Sequence, residues 1–149
     1  MRNIKRLLIA MTFALVLAPL TLPAASHGDE EKADRVLVTV TSDRPQAQAM
    51  AMILTRQLVE RGSEVRILLC CDGGVMGTNA FDGPTLTGPD ANAQQIMQGL
   101  MEAGAQVDVC AIFLPNTDFT EDDLIDGVGV ADPDDVGEFM EGDTRFFSY

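Results

Sequence analysis

The sequence predicts an α/β fold: a three-layer sandwich in which a mostly parallel sheet of about five strands carries helices on both faces. Two observations point there. Short, apolar, β-branched runs recur along the chain: "RVLVTV" (35–40), "EVRILLC" (64–70) and "QVDVCAIFL" (106–114). Each is bounded by turn residues, as buried strands are. Between them lie segments with apolar residues at helical spacing. That strand–helix–strand–helix–strand rhythm builds parallel sheets through crossover connections.

Before the first strand, Arg2, Lys5 and Arg6 form a basic head, Leu7 to Leu22 an apolar stretch, and Pro23, Ala24, Ala25 and Ser26 a small-residue exit. This is the layout of a secretory signal peptide. Its apolar core of 16 residues is short for a membrane span of roughly 20, although an uncleaved anchor is the alternative. Residues 1–25 are expected to be removed, 26–34 to form a flexible tether, and 35–149 to fold as the domain. The mature protein is then expected to be periplasmic or secreted, with no membrane attachment.

After strand 35–40, Ser42 or Asp43 is placed to cap a helix with Pro45 in its first turn. Ala47, Met50, Ile53, Leu54 and Leu58 share one face of it, and Gly62 ends it. Beyond the second strand, residues 72–90 ("DGGVMGTNAFDGPTLTGPD") hold five glycines and two prolines. A loop of that length is often functional. Asp90 is positioned to cap the next helix, with Ala93, Ile96, Met97, Leu100 and Met101 on its buried face and Gly104 as its stop. After the third strand come a short helix over Thr120–Asp126 capped by Thr120, a strand "GVGVA" (127–131), a helix from Pro133 to Met140, and a closing strand "TRFFSY" (144–149).

The chain carries 10 basic and 23 acidic residues. Removing residues 1–25 leaves seven basic residues and a net charge of −16, with Lys32 as the remaining lysine. Such a chain repels phosphate backbones, so nucleic acid is not expected as a partner. The acidic groups "EDD" (121–123), "DPDD" (132–135) and "EGD" (141–143) sit where helix ends and turns are expected. Caps and solvated surface account for them. No metal site or cofactor is expected. The single histidine, His27, adjoins the cleavage region, and no CxxC or HxxxH occurs, so a closed zinc site lacks ligands. No GxSxG, P-loop or dinucleotide fingerprint is present either.

What remains is sulfur. Export to an oxidising compartment favours paired cysteines, yet Cys70, Cys71 and Cys110 make three, so they cannot all pair within one chain. In an open parallel sheet, ligands bind beyond the carboxyl ends of the strands. Cys70 and Cys71 end the second strand, Cys110 lies towards that end of the third, and Thr41 and Ser42 end the first. All three thiols are therefore expected near one rim, roofed by the glycine-rich loop, with Ser42, Asp72, Gly73 and Gly74 as candidate binding positions. Cys70 and Cys71 should point to opposite sides of the sheet, so at most one readily faces Cys110. A bond between the two is disfavoured, since adjacent Cα atoms are about 3.8 Å apart, below the usual disulfide range. Each thiol also reads as a small apolar filler.

The stretch "VDVCAIFLPNTDFTEDDLIDGVGVADPDDVGEFMEGDTRFFSY" (107–149) resembles the DsrE/DsrF-like (sulfur relay, TusD-like) superfamily. The matching features are Cys110 after the third strand, then Thr120, Asp123, Leu124, Ile125, Gly127 and Val128, and the terminal "RFFSY". The opening strand–helix–strand and "CDGGV" extend the resemblance over residues 35–149. It implies an α/β sandwich assembled into oligomers and a persulfide carried on Cys110, exchanged with a sulfur donor or acceptor protein. Cys71 and Cys70 are then candidate resolving thiols. The segment after Cys110, "FLPNTDF", departs from the Arg-Gly pair or second cysteine common in that family, and no basic residue lies between Arg66 and Arg145. Two other readings stay open: a non-catalytic binding or assembly module, and a thiol–disulfide redox protein. Phe146, Phe147 and Tyr149 exceed what a short terminal strand can bury, which predicts a homo-oligomer.

Overall fold

The computed structural model describes residues 35–149; the expected signal segment and tether lie outside them. Five strands, β1 (Arg35–Val40), β2 (Glu64–Leu69), β3 (Gln106–Val109), β4 (Val128–Val130) and β5 (Thr144–Ser148), form one sheet in the order β4-β3-β2-β1-β5. Every pairing is parallel. Helices α1 (Pro45–Glu60) and α2 (Ala93–Glu102) cover one face, and α3 (Pro133–Met140) covers the other. This is the three-layer α/β sandwich the sequence predicts.

Strand alternation divides the sheet. Val36, Val38, Val40, Val65, Ile67, Leu69, Val107 and Val109 point towards α1 and α2 and are buried, forming the main core with Met52, Ile96, Met97 and Leu100. The opposite face is thinner. Leu37 packs there with Ala131, Val136 and Phe139, and with half-buried Leu68. Arg35 fastens α3 to β1: its guanidinium donates to the Glu141 carbonyl at 2.8 Å and lies 5.6 Å from the centre of the Phe139 ring.

Several boundaries differ from expectation. Helix α1 begins at Pro45 after Arg44, which makes no side-chain cap. Ser42 Oγ instead accepts from the Arg44 N–H at 3.1 Å, ahead of the helix. The buried face of α1 is Gln48, Ala49, Ala51, Met52 and Thr55, while Met50 and Leu54 are exposed. Apolar residues run nearly all round this helix, so periodicity alone does not select the inner stripe. The helix packs on β1 and α2 through small alanines, and Thr55 returns its hydroxyl to the Ala51 carbonyl at 2.7 Å.

Asn92, not Asp90, caps α2. Its side chain accepts from the Gln95 N–H and the Gln95 side chain accepts from the Asn92 N–H, both at 2.9 Å. That reciprocal pair satisfies two otherwise orphaned donors, while Asp90 takes a positive φ of 52° in the preceding turn. Strand β3 stops at Val109 rather than Leu114. The Phe113 N–H returns to the Cys110 carbonyl at 2.8 Å, so the apolar run folds into a turn with Phe113 buried and Ile112 exposed. The expected helix over 120–126 is one 3₁₀ turn, Glu121–Asp123. Thr120 and Asp123 bracket it, with the Thr120 N–H and hydroxyl each donating to Asp123 Oδ2 at 2.8 Å.

Candidate functional site

Cys70 and Cys110 sit one residue beyond the ends of β2 and β3. The register pairs Leu68 with Asp108 and Leu69 with Val109, so these cysteines follow as the next pair across the two strands. The ladder continues through them: the Cys110 N–H donates to the Leu69 carbonyl at 2.8 Å and the Cys70 N–H to the Val40 carbonyl at 2.9 Å. Their sulfurs lie near enough for Cys110 to act on the Cys70 thiol. Both are partly exposed and unbridged. Of the two adjacent cysteines, Cys70 is the one that faces Cys110.

Burial pushes the Cys70 thiol up to about 12, and the neighbouring Cys110 and Cys71 side chains add to the rise. Cys70 therefore keeps its proton at neutral pH.

Cys71 is placed differently. It is exposed and holds a φ of 52°, a left-handed conformation uncommon for a residue with a side chain. It opens the 3₁₀ segment Cys71–Gly77, so the expected long loop starts as an ordered turn. Met76 is buried in the main core, and a Cβ on Gly77 would lie 3.0–3.3 Å from Leu69, Val109 and Val128.

The glycines of the segment have packing reasons. A Cβ on Gly73 would lie 2.4 Å from the Val40 carbonyl oxygen, and one on Gly74 would lie 2.4 Å from the Phe113 ring. Phe113 in turn stacks on Phe119 with centroids 5.8 Å apart. Asp72 is exposed. It lines a cleft of about 340 Å³ with Asp43, Gln48 and Asp82. Ser42 stands at the mouth of α1, its carbonyl accepting from Gln48 Nε2 at 3.0 Å.

Two features escaped the sequence reading. Gln48 is buried, and its Oε1 finds no partner among the described residues. On the α3 side of the sheet, Arg66 and Asp108 form a buried ion pair, with Nη2 at 2.9 Å and Nε at 3.0 Å from Asp108 Oδ2. Gln106 Nε2 adds a third bond to that oxygen at 3.0 Å. A Cβ on Gly129 would come within 2.8 Å of Oδ1, so glycine there leaves room for the carboxylate. The available signal was a charged residue inside each of two apolar runs, "EVRILL" and "VDV". Among the described residues, no group of three or more His, Cys, Asp or Glu side chains is disposed to hold a metal ion.

The chain matches no protein-family model and no curated protein sequence. Its structure is similar to the crystal structure of the YchN protein from E. coli, with a TM-score of 0.64 at 18% identity. The match covers 78% of this chain and 98% of that one. At that identity the likeness concerns architecture alone: the two chains share a parallel-sheet α/β fold.

Proposed function

We propose that this chain is an exported protein that accepts sulfane sulfur as a persulfide on Cys110. The observation that carries the reading is the meeting of two partly exposed thiols from neighbouring strands at the carboxyl edge of a parallel sheet, where such folds place their ligands. The Cys110 thiolate attacks the outer sulfur of a donor RS–SH. A Cys110 S–SH bond forms, the donor S–S bond breaks, and RS⁻ leaves.

Intact-mass analysis after exposure to inorganic polysulfide tests this. A gain of one sulfur that Cys110→Ser abolishes supports the assignment; equal labelling of Cys110→Ser overturns it. The same thiol contact also favours a thiol–disulfide redox role. An oxidant without a sulfur donor should then generate a Cys70–Cys110 bridge that mild dithiols reopen and oxidant closes again. Native thiols that resist alkylation until the protein is denatured would instead favour a non-catalytic module.

Two further parts of the reading concern setting. Residues 1–25 direct export, so N-terminal sequencing of the mature protein should begin near residue 26. The chain also forms a homo-oligomer through the β5 edge. Phe146 and Phe147 there are 54% and 40% exposed, a large apolar exposure for an edge strand. Light scattering should give a multiple of the chain mass; a monomer at high concentration removes this claim.

A further inference from the structure

We propose that Cys70 discharges the Cys110 persulfide within the same chain, so that the sulfur leaves as hydrosulfide and the site ends as a Cys70–Cys110 disulfide. The inference rests on the reading of Cys110 as sulfur acceptor and adds what becomes of the sulfur. A relay would hand the persulfide to a second protein. Here a second thiol stands at the neighbouring register position, which changes the competition.

Geometry is the main argument. The two cysteines are register neighbours on adjacent parallel strands, and neighbouring strands lie about 4.8 Å apart. That spacing falls inside the range of roughly 4.4–6.8 Å between Cα atoms that a disulfide needs. The backbone ladder carries both cysteines to the same level of the sheet edge and the Cys110 sulfur lies near the Cys70 thiol, so bridging them asks mainly for rotation about side-chain bonds. Cys71 is disfavoured as the resolving thiol: it is adjacent to Cys70, exposed, and held in a left-handed turn. An acceptor protein must diffuse and dock, whereas a thiol held at contact reacts with the advantage of an intramolecular group.

The step balances without an outside oxidant. Cys70 gives up its proton, and its sulfur attacks the Cys110 Sγ atom. The Cys110 S–S bond to the terminal sulfur breaks, the Cys70–Cys110 S–S bond forms, and HS⁻ departs and takes up a proton. The sulfane sulfur is reduced to sulfide, and the two cysteines are oxidised to a disulfide. A dithiol reductant, small or protein-borne, must then restore the thiols before another cycle.

The full chain is treated with inorganic polysulfide, freed of excess reagent by gel filtration, and followed by intact mass, peptide mapping and sulfide release. The expected result for wild type is a short-lived gain of one sulfur, replaced by a loss of two hydrogens, a Cys70–Cys110 cross-linked peptide and about one sulfide per chain. Cys70→Ser, with Cys70→Ala as a second variant, should hold the added sulfur on Cys110 about tenfold longer or more and form no cross-link. If wild type keeps its added sulfur as long as the Cys70 variants do, Cys70 does not discharge it and the proposal falls. If the Cys70 variants take up no sulfur on Cys110, the acceptor reading falls first and takes the proposal with it.

Discussion

The two faces of the sheet are built from the same strands and differ in what they can do. On the α1/α2 face, eight strand residues are aliphatic and essentially closed to solvent. Close packing of that kind leaves no room for water or a substrate. On the α3 face, one short helix covers the middle. The strand residues there include Leu68 and the buried Arg66–Asp108 pair. One face supplies stability through area removed from water. The other holds a buried ion pair, and past the strand ends two sulfurs lie partly exposed. A strand can serve both because its side-chain period is two.

The ion pair tests that division most severely. Asp108→Ala leaves Arg66 buried and unpartnered, which costs about 3–5 kcal/mol. Ile67→Val, one methylene removed from the opposite face, should cost about 0.5–1.5 kcal/mol. Urea unfolding of both variants gives the comparison. A smaller loss for Asp108→Ala than for Ile67→Val would mean that the α3 face is wetter than described. Replacing the pair together, Arg66→Met with Asp108→Leu, should recover most of the loss, because no charge is then left without its partner.

Two glycine substitutions sharpen the contrast with opposite signs. Gly73→Ala drives a Cβ into the Val40 carbonyl oxygen, which is also the acceptor for the Cys70 N–H. Overpacking against backbone of this kind costs about 1–3 kcal/mol, and a shift there should also change the alkylation rate of Cys70. Gly99 lies within α2 on its exposed side, with nothing within 4 Å of an added Cβ. Gly99→Ala should raise stability by about 0.5–1 kcal/mol. Equal effects from the two would show that the approach of the 71–77 segment to β1 is looser than described.

The fold was legible because its signals are redundant. Each strand run is β-branched and each later helix carries a cap or a stop, so the α/β sandwich survived errors at Ser42, Asp90 and Leu114. The misreadings have physical causes. The apolar run 111–114 obeys strand composition, but Pro115 and the bond from Phe113 back to Cys110 turn it into a cover for Gly74. In α1, Met50 and Leu54 seemed core residues because size was weighed above fit. The helix instead approaches through Ala49 and Ala51. Sequence spacing brought three cysteines to one edge, and alternation limited which could meet. The register of β2 against β3, which decides that Cys70 and Cys110 lie side by side, depends on long-range pairing that no local pattern encodes. The Arg66–Asp108 pair was missed for the same reason.

The smallest expected effect isolates the thiol pair. Cys70 titrates near 12 in the folded chain, against an ordinary value of 9.0. Between those values the native state holds a proton that the unfolded chain has lost, so the unfolded state binds fewer protons and stability falls as pH rises. The contribution is fully present below pH 9 and is lost as pH climbs towards 12. It is modest, because Cys70 is partly exposed and solvent screens its surroundings. Unfolding midpoints of wild type and Cys70→Ser should therefore run parallel up to about pH 9 and converge above it. A difference that stays constant to pH 11 would mean that burial does not hold the Cys70 proton. The rim beyond β2 and β3 would then be as open to solvent as an ordinary turn, and the packed sheet faces alone would set the stability of the chain.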